Sequence, residues 1–135
     1  MSTVVNGFTE TTVMDQDNMH KILVYVNPNI LTLGATCSFA FLIDGIYLEN
    51  ILDIEFIYKD GIIPMFTKLY SANEISVIED EPARLLITSI LTAEETAQFK
   101  FNRLATAQLK FILIDGTVIY SDLAKLETVY SIDNK

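Results

Sequence analysis

The chain predicts an all-β, mainly antiparallel fold, two packed sheets or a small barrel, with one short helical turn near 92–98. Three observations carry this. Apolar and polar residues alternate in short runs, as in Ala105-Thr106-Ala107-Gln108-Leu109-Lys110-Phe111. Asp-Gly pairs stand between β-rich runs at Asp44-Gly45, Asp60-Gly61 and Asp115-Gly116. The one helical signal, 91–99, is too short to be the crossover helix of a parallel sheet. At 135 residues, half of them apolar and 20% charged, one domain can bury a core without disulfide or metal staples.

Residues 1–20 lack convincing periodicity, although Val4, Val5, Phe8, Val13 and Met14 give the segment apolar teeth. A flexible N-terminal arm is expected there, and those five residues are its candidate assembly contacts if it orders against a neighbouring subunit. The β-sandwich domain then occupies 21–135. Eight strands are expected, at 21–26, 36–43, 54–59, 62–69, 84–91, 105–111, 117–120 and 126–131. In the third, Ile54, Phe56 and Tyr58 alternate with Glu55, Ile57 and Lys59, so one face packs and the other meets water. Thr92 is positioned to cap the helical turn, and Glu95, three residues on, to complete a capping box.

The tetrapeptide Leu42-Ile43-Asp44-Gly45 returns as Leu113-Ile114-Asp115-Gly116. Both copies, with Asp60-Gly61, read as tight hairpins of type I′, in which Asp and Gly tolerate positive φ. Asp44, Gly45, Asp60, Gly61, Asp115 and Gly116 are therefore structural turn residues and not catalytic carboxylates. The flanks of the two copies do not align, so no duplicated unit is supported.

The parts for chemistry are few. Cys37 is the lone cysteine, in an apolar run where a buried, inert side chain is expected, and it excludes an intramolecular disulfide. His20 is the lone histidine, and no phosphate loop, nucleophile elbow or metal-spaced Cys/His pair occurs. No enzyme, catalytic residue, cofactor or metal is expected. Glu79-Asp80-Glu81 is consecutive, not alternating as in calcium loops, and reads as a solvated loop. Tyr47, Tyr58, Tyr70, Tyr120 and Tyr130 read as core and edge residues ahead of a glycan- or protein-binding surface.

Net charge is −9, concentrated in residues 36–81, where nine acids face Lys59 and Lys68; residues 82–135 balance six acids with six bases. Such a surface repels phosphate backbones, so no nucleic acid is expected, whereas a basic protein partner is compatible with it. The polar opening predicts no secretion signal, and the apolar runs are too short for a membrane-spanning helix.

From Leu91 onward, the run Leu91-Thr92-Ala93-Glu94-Glu95-Thr96-Ala97-Gln98-Phe99-Lys100, then Ala107-Gln108-Leu109-Lys110 and Asp115-Gly116-Thr117, resembles a group of small β-sandwich structural proteins of tailed bacteriophages. The stretch Leu52-Asp53-Ile54-Glu55-Phe56-Ile57-Tyr58-Lys59-Asp60-Gly61 is similar to that group's central hairpin. Residues 1–35 and Tyr120-Ser121-Asp122 depart from the pattern. The resemblance implies an Ig-like sandwich serving as a non-enzymatic virion component in the tail or baseplate, neck or head exterior. It implies synthesis in the host cytoplasm, other virion proteins as partners and a symmetric homo-oligomer. A carbohydrate- or receptor-binding module on a phage fibre is the alternative, with glycan as ligand, and an accessory cellular β protein the third.

Overall fold

The computed structural model describes residues 4–5, 8–15, 21–27, 30–100, 104–121 and 123–130, with side chains from residue 30 onward. Its strands are β1 Val4–Val5, β2 Phe8–Asp15, β3 Lys21–Asn27, β4 Ile30–Leu33, β5 Cys37–Asp44 and β6 Ile51–Asp60. They continue with β7 Ile63–Leu69, β8 Ile75–Glu81, β9 Arg84–Leu91, β10 Ala105–Leu113, β11 Val118–Ser121 and β12 Ala124–Tyr130. A 3-10 turn, Leu48–Asn50, precedes β6, and α1 is the single turn Ala93–Thr96. The fold is all-β.

Hydrogen-bonded neighbours run β4-β12-β10-β11-β2-β3-β5-β9-β8, with β6 on the other edge of β10 and β7 outside β6. Among the described residues every pairing is antiparallel except β4 with β12. The path folds over, so that β5 and β9 face β6 and β10 in a sandwich-like pair of layers. Phe41 meets Phe56 edge-on at 4.9 Å between ring centres, Phe39 meets Tyr58 at 5.8 Å, and the Tyr58 hydroxyl lies 2.8 Å from Ser89 Oγ. Alternation dictates this: Ile54, Phe56 and Tyr58 are fully buried from β6, as are Phe39, Phe41 and Ile43 from β5 and Leu109 and Phe111 from β10.

The strands β11 and β12 share one edge of β10. Lys110 opposes Tyr120 and Ala107 opposes Ala124, so the chain between them carries one residue more than β10 does. Ser121 fills this bulge: its Oγ accepts from Leu109 N at 2.9 Å, and its carbonyl accepts from Gln108 Nε2 at 2.8 Å. The bend lets β11 pair outward with β2 while β12 pairs with β4.

Several expectations change. The segment set apart as a flexible arm contributes strands, because β2 pairs on both sides, with β3 and β11. With three threonines, a valine and a phenylalanine among its eight residues, β2 suits an interior strand even without an alternating pattern. Glu79-Asp80-Glu81 is not a loop but the end of β8, opened by a bulge at Asp80, since Glu79 opposes Leu85 and Glu81 opposes Arg84.

The Asp-Gly pairs also differ from a common type I′ hairpin. Asp60 is the last residue of β6, buried, and the β6–β7 turn is Gly61-Ile62 with φ +66° at Gly61, the signature of type II′. Between β10 and β11 the loop is Ile114-Asp115-Gly116, closed by Leu113 N donating to Thr117 O at 2.8 Å, with Gly116 at φ +92° and Asp115 Oδ1 accepting from Thr117 N. Asp44-Gly45 closes no hairpin, because β5 pairs with β3 and β9 and not with β6. It leads the chain out toward the 3-10 turn. Asp44 was read as a turn residue, but it is held by Arg84, 2.8 Å away on β9.

Candidate assembly surfaces

Among the described strands, β1, β4, β7 and β8 are each paired on one side only. The last two are guarded. On β7, Pro64 removes a backbone donor, and Met65 is an extra residue between the pairs Tyr58–Phe66 and Lys59–Pro64. On β8, the Asp80 bulge and its flanking carboxylates serve the same purpose. Prolines, bulges and charges discourage uncontrolled strand addition. Exposed apolar residues stand at the two ends of the layers, and also at Ile30, Ile78, Ile90 and Leu123.

At one end, the exit from β5, the 3-10 turn, the start of β6, the β10–β11 loop and the β8–β9 turn converge. Gly45 N donates to Ala83 O at 2.8 Å, Leu48 N to Glu79 Oε2 at 2.9 Å, and Ile114 N to Asn50 O at 2.9 Å. The β8–β9 turn is Pro82-Ala83, with Ala83 at φ +64°, a left-handed conformation that costs a side-chain-bearing residue about 1–2 kcal/mol. Leu52 is the extra residue of a bulge opposite Ile112 and Leu113. The bulge turns it outward: Leu52 is 63% exposed, beside Ile114 at 64%, with Tyr47 also exposed. A shallow recess lies between Asn50, Leu113, Ile114 and Asp115. Around it stand Asp44, Glu49, Asp53, Glu79, Asp80, Glu81 and Asp115, against Arg84, the one cation there whose side chain is described, which reaches Asp44 and, at 3.5 Å, Glu81.

At the other end, the β6–β7 tip carries Ile62, 93% exposed, and Ile63, while Leu104 is exposed beside them, its carbonyl accepting from Gly61 N at 2.7 Å. Lys59 and Lys125 flank Thr106 in adjacent strands on the outer face. Lys100 is brought alongside by its amide, which donates to Asp60 Oδ2 at 3.2 Å.

No family model, curated protein or solved structure matches this chain. The residues themselves carry the functional reading.

Of the residues singled out from sequence, Thr92 Oγ1 accepts from Glu95 N at 3.1 Å and Glu95 Oε1 accepts from Thr92 N at 2.9 Å, a complete capping box. Glu95 also holds Lys68 at 2.7 Å, tying α1 to β7. Cys37 was expected to be buried and is only partly so; its thiol lies 3.6 Å from Ala35 O and 3.7 Å from Thr32 O. His20 lies outside the described residues. The backbones of Val4, Val5, Phe8, Val13 and Met14 fall in β1 and β2, with Met14 opposite Tyr120 and Val13 opposite Ser121, and their side chains lie outside the described part. The tyrosines do not share one surface. Tyr58 is fully buried, Tyr120 lies under the Lys110 ammonium at 5.6 Å, Tyr47 sits at the carboxylate end and Tyr130 ends β12. No helix among the described residues is long and apolar enough to cross a membrane.

Sequence reasoning missed Leu52, Ile62 and Ile114 as exposed apolar residues. The available signal was broken alternation: Ile51-Leu52-Asp53-Ile54 and Ile62-Ile63-Pro64 each put apolar residues side by side where one strand face cannot bury both.

Asp53 makes the carboxylate end acid-sensitive. Partial burial pushes its pKa up, but the Ser71 hydroxyl and the Ser71 and Ile54 amides, all donating at 2.8–2.9 Å, outweigh this and hold it below the ordinary Asp value. Glu95 is lowered likewise, burial being outweighed by Lys68 and Thr92. A carboxyl depressed in the folded state contributes stability above its unfolded pKa, about 4, and loses it as pH falls through the folded value. Asp53→Asn is therefore expected to be less stable than wild type near neutrality and to lose less between about pH 5 and pH 2. Urea unfolding across that range measures both, and parallel acid limbs would refute the assignment.

Proposed function

We propose that this chain is a non-enzymatic structural protein of a tailed-bacteriophage particle, in the tail or baseplate, neck or head exterior, acting through protein–protein assembly. Its placement in a virion rests on the resemblance carried by residues 91–117 and 52–61, and kinship with Ig-like sandwiches belongs to the same proposal. The assembly role rests on one observation. Aliphatic side chains are exposed at both ends of a well-packed fold, Ile62 at 93%, Leu52 at 63% and Ile114 at 64%, while the edge strands β7 and β8 are guarded against strand addition. Contiguous exposed apolar patches rimmed by polar residues mark interaction sites. The partners are other virion proteins and further copies of the same chain.

Quantitative mass spectrometry of gradient-purified particles tests this. The expected result is a fixed copy ratio to the major capsid protein, divisible by a ring or vertex symmetry. Recovery only in the soluble lysate would overturn the virion reading in favour of an accessory role.

A further inference from the structure

We propose that copies of this chain associate head to tail, the carboxylate end of one, centred on Leu52 and Ile114, seating on the lysine end of the next, centred on Ile62 and Leu104. The inference deepens the assembly reading and rests on it, but it does not depend on which particle, if any, holds the chain.

Charge placement carries the argument. Six cationic side chains are described, and three are neutralised within the fold: Lys68 by Glu95, Arg84 by Asp44 and Glu81, and Lys110 by Glu55. The three that form no ion pair among the described residues, Lys59, Lys100 and Lys125, all stand at the Ile62 end. Glu94 and Glu127 also lie toward that end, so that among the described side chains it is about balanced, whereas the Leu52 end is strongly negative. Exposed Glu49 and Asp80 there form no ion pair among the described residues. Two carboxylate ends repel each other, so like-to-like pairing is opposed, and the nearest uncommitted cations belong to the opposite end of another copy.

Geometry adds the second part. The two ends lie at the N- and C-termini of β6, ten residues long, and so about 30 Å apart at roughly 3.3 Å per residue. A contact between two different surfaces is heterologous. It closes into a ring if the rotation between copies permits and extends as a filament if not. Each surface offers exposed aliphatic residues inside a charged surround, the arrangement of an interface core and rim.

Sedimentation velocity on the purified full chain tests this, over a range of concentrations in about 0.05 M and about 0.5 M salt, which shortens the screening length severalfold. The expected result is a species heavier than the monomer whose population falls in high salt. Lys100→Glu/Lys125→Glu and Glu49→Lys/Asp80→Lys, all at exposed positions, should each be folded by circular dichroism and monomeric. Mixing the two in equal amounts should restore assembly, because the unaltered carboxylate end of the first then meets the unaltered lysine end of the second. Ile62→Ser, which alters no charge, should also abolish association. A wild-type chain that stays monomeric, an oligomer indifferent to both reversals, or a mixture that does not assemble would each overturn the proposal. Head-to-tail assembly by a chain absent from particles would remove the virion reading and leave this one standing. A monomeric chain whose reversed variants enter particles normally would do the opposite.

Discussion

Phe56→Ala is expected to destabilise the fold by about 3–5 kcal/mol, a large part of the stability of an ordinary domain. Phe56 is fully buried at the centre of the molecule, its ring edge-on to Phe41 at 4.9 Å and stacked on Tyr58 at 5.0 Å. Truncation removes one of the two rings, the other being Tyr58, through which β6 touches the opposite layer, and neighbours anchored in two sheets cannot both move in to fill the space. Four residues earlier on the same strand, Leu52→Ala should change stability by no more than about 0.5 kcal/mol, because that side chain is mostly in water. Urea unfolding of the two variants with unchanged slopes gives the comparison directly. A loss below about 1 kcal/mol at Phe56 would mean that the two layers are not joined through this ring.

Where the fold was legible in sequence, the information was local. Alternation placed Ile54, Phe56 and Tyr58 inside and Glu55 and Lys59 outside, and 84–91 is a strand over the same residues that the pattern marked. The capping box at Thr92 and Glu95 was equally readable, since both halves lie within four residues. What was not legible depends on partners distant in sequence. Asp44-Gly45 and Asp115-Gly116 share four letters with their neighbours, yet one leads to a crossover and the other closes a hairpin, because only Arg84 and Ala83 hold the first in place. The short strand β4 gains its definition from β12, about a hundred residues away, in the one parallel pairing. In the candidate surfaces, charge segregation was visible as an excess of acids in 36–81. That Lys59, inside that stretch, belongs with Lys100 and Lys125 follows only from the register of β6, β10 and β12.

The hydrogen bond between Tyr58 and Ser89 gives the second large expected effect, and it distinguishes specificity from simple burial. Tyr58 is the largest of the fully buried side chains, and burial pushes its phenol pKa up despite the Ser89 hydrogen bond, so the group stays neutral and its hydroxyl needs a partner. Ser89, itself buried on β9, supplies that partner at 2.8 Å across the layers. Ser89→Ala should cost about 1–3 kcal/mol, because it strands a phenolic hydroxyl in an apolar interior. Tyr58→Phe should cost less than that range or fall at its low end, since the smaller Ser89 hydroxyl is left to find another acceptor. The double variant should cost clearly less than the sum, as two apolar groups of similar shape replace a matched pair, with a coupling of about 0.5–3 kcal/mol in the double-mutant cycle. Additive losses would show that the two hydroxyls act independently. A positive coupling would identify a single polar tie that fixes how the β5–β9 layer sits over β6, and with it the relative placement of the two ends through which copies of the chain are proposed to meet.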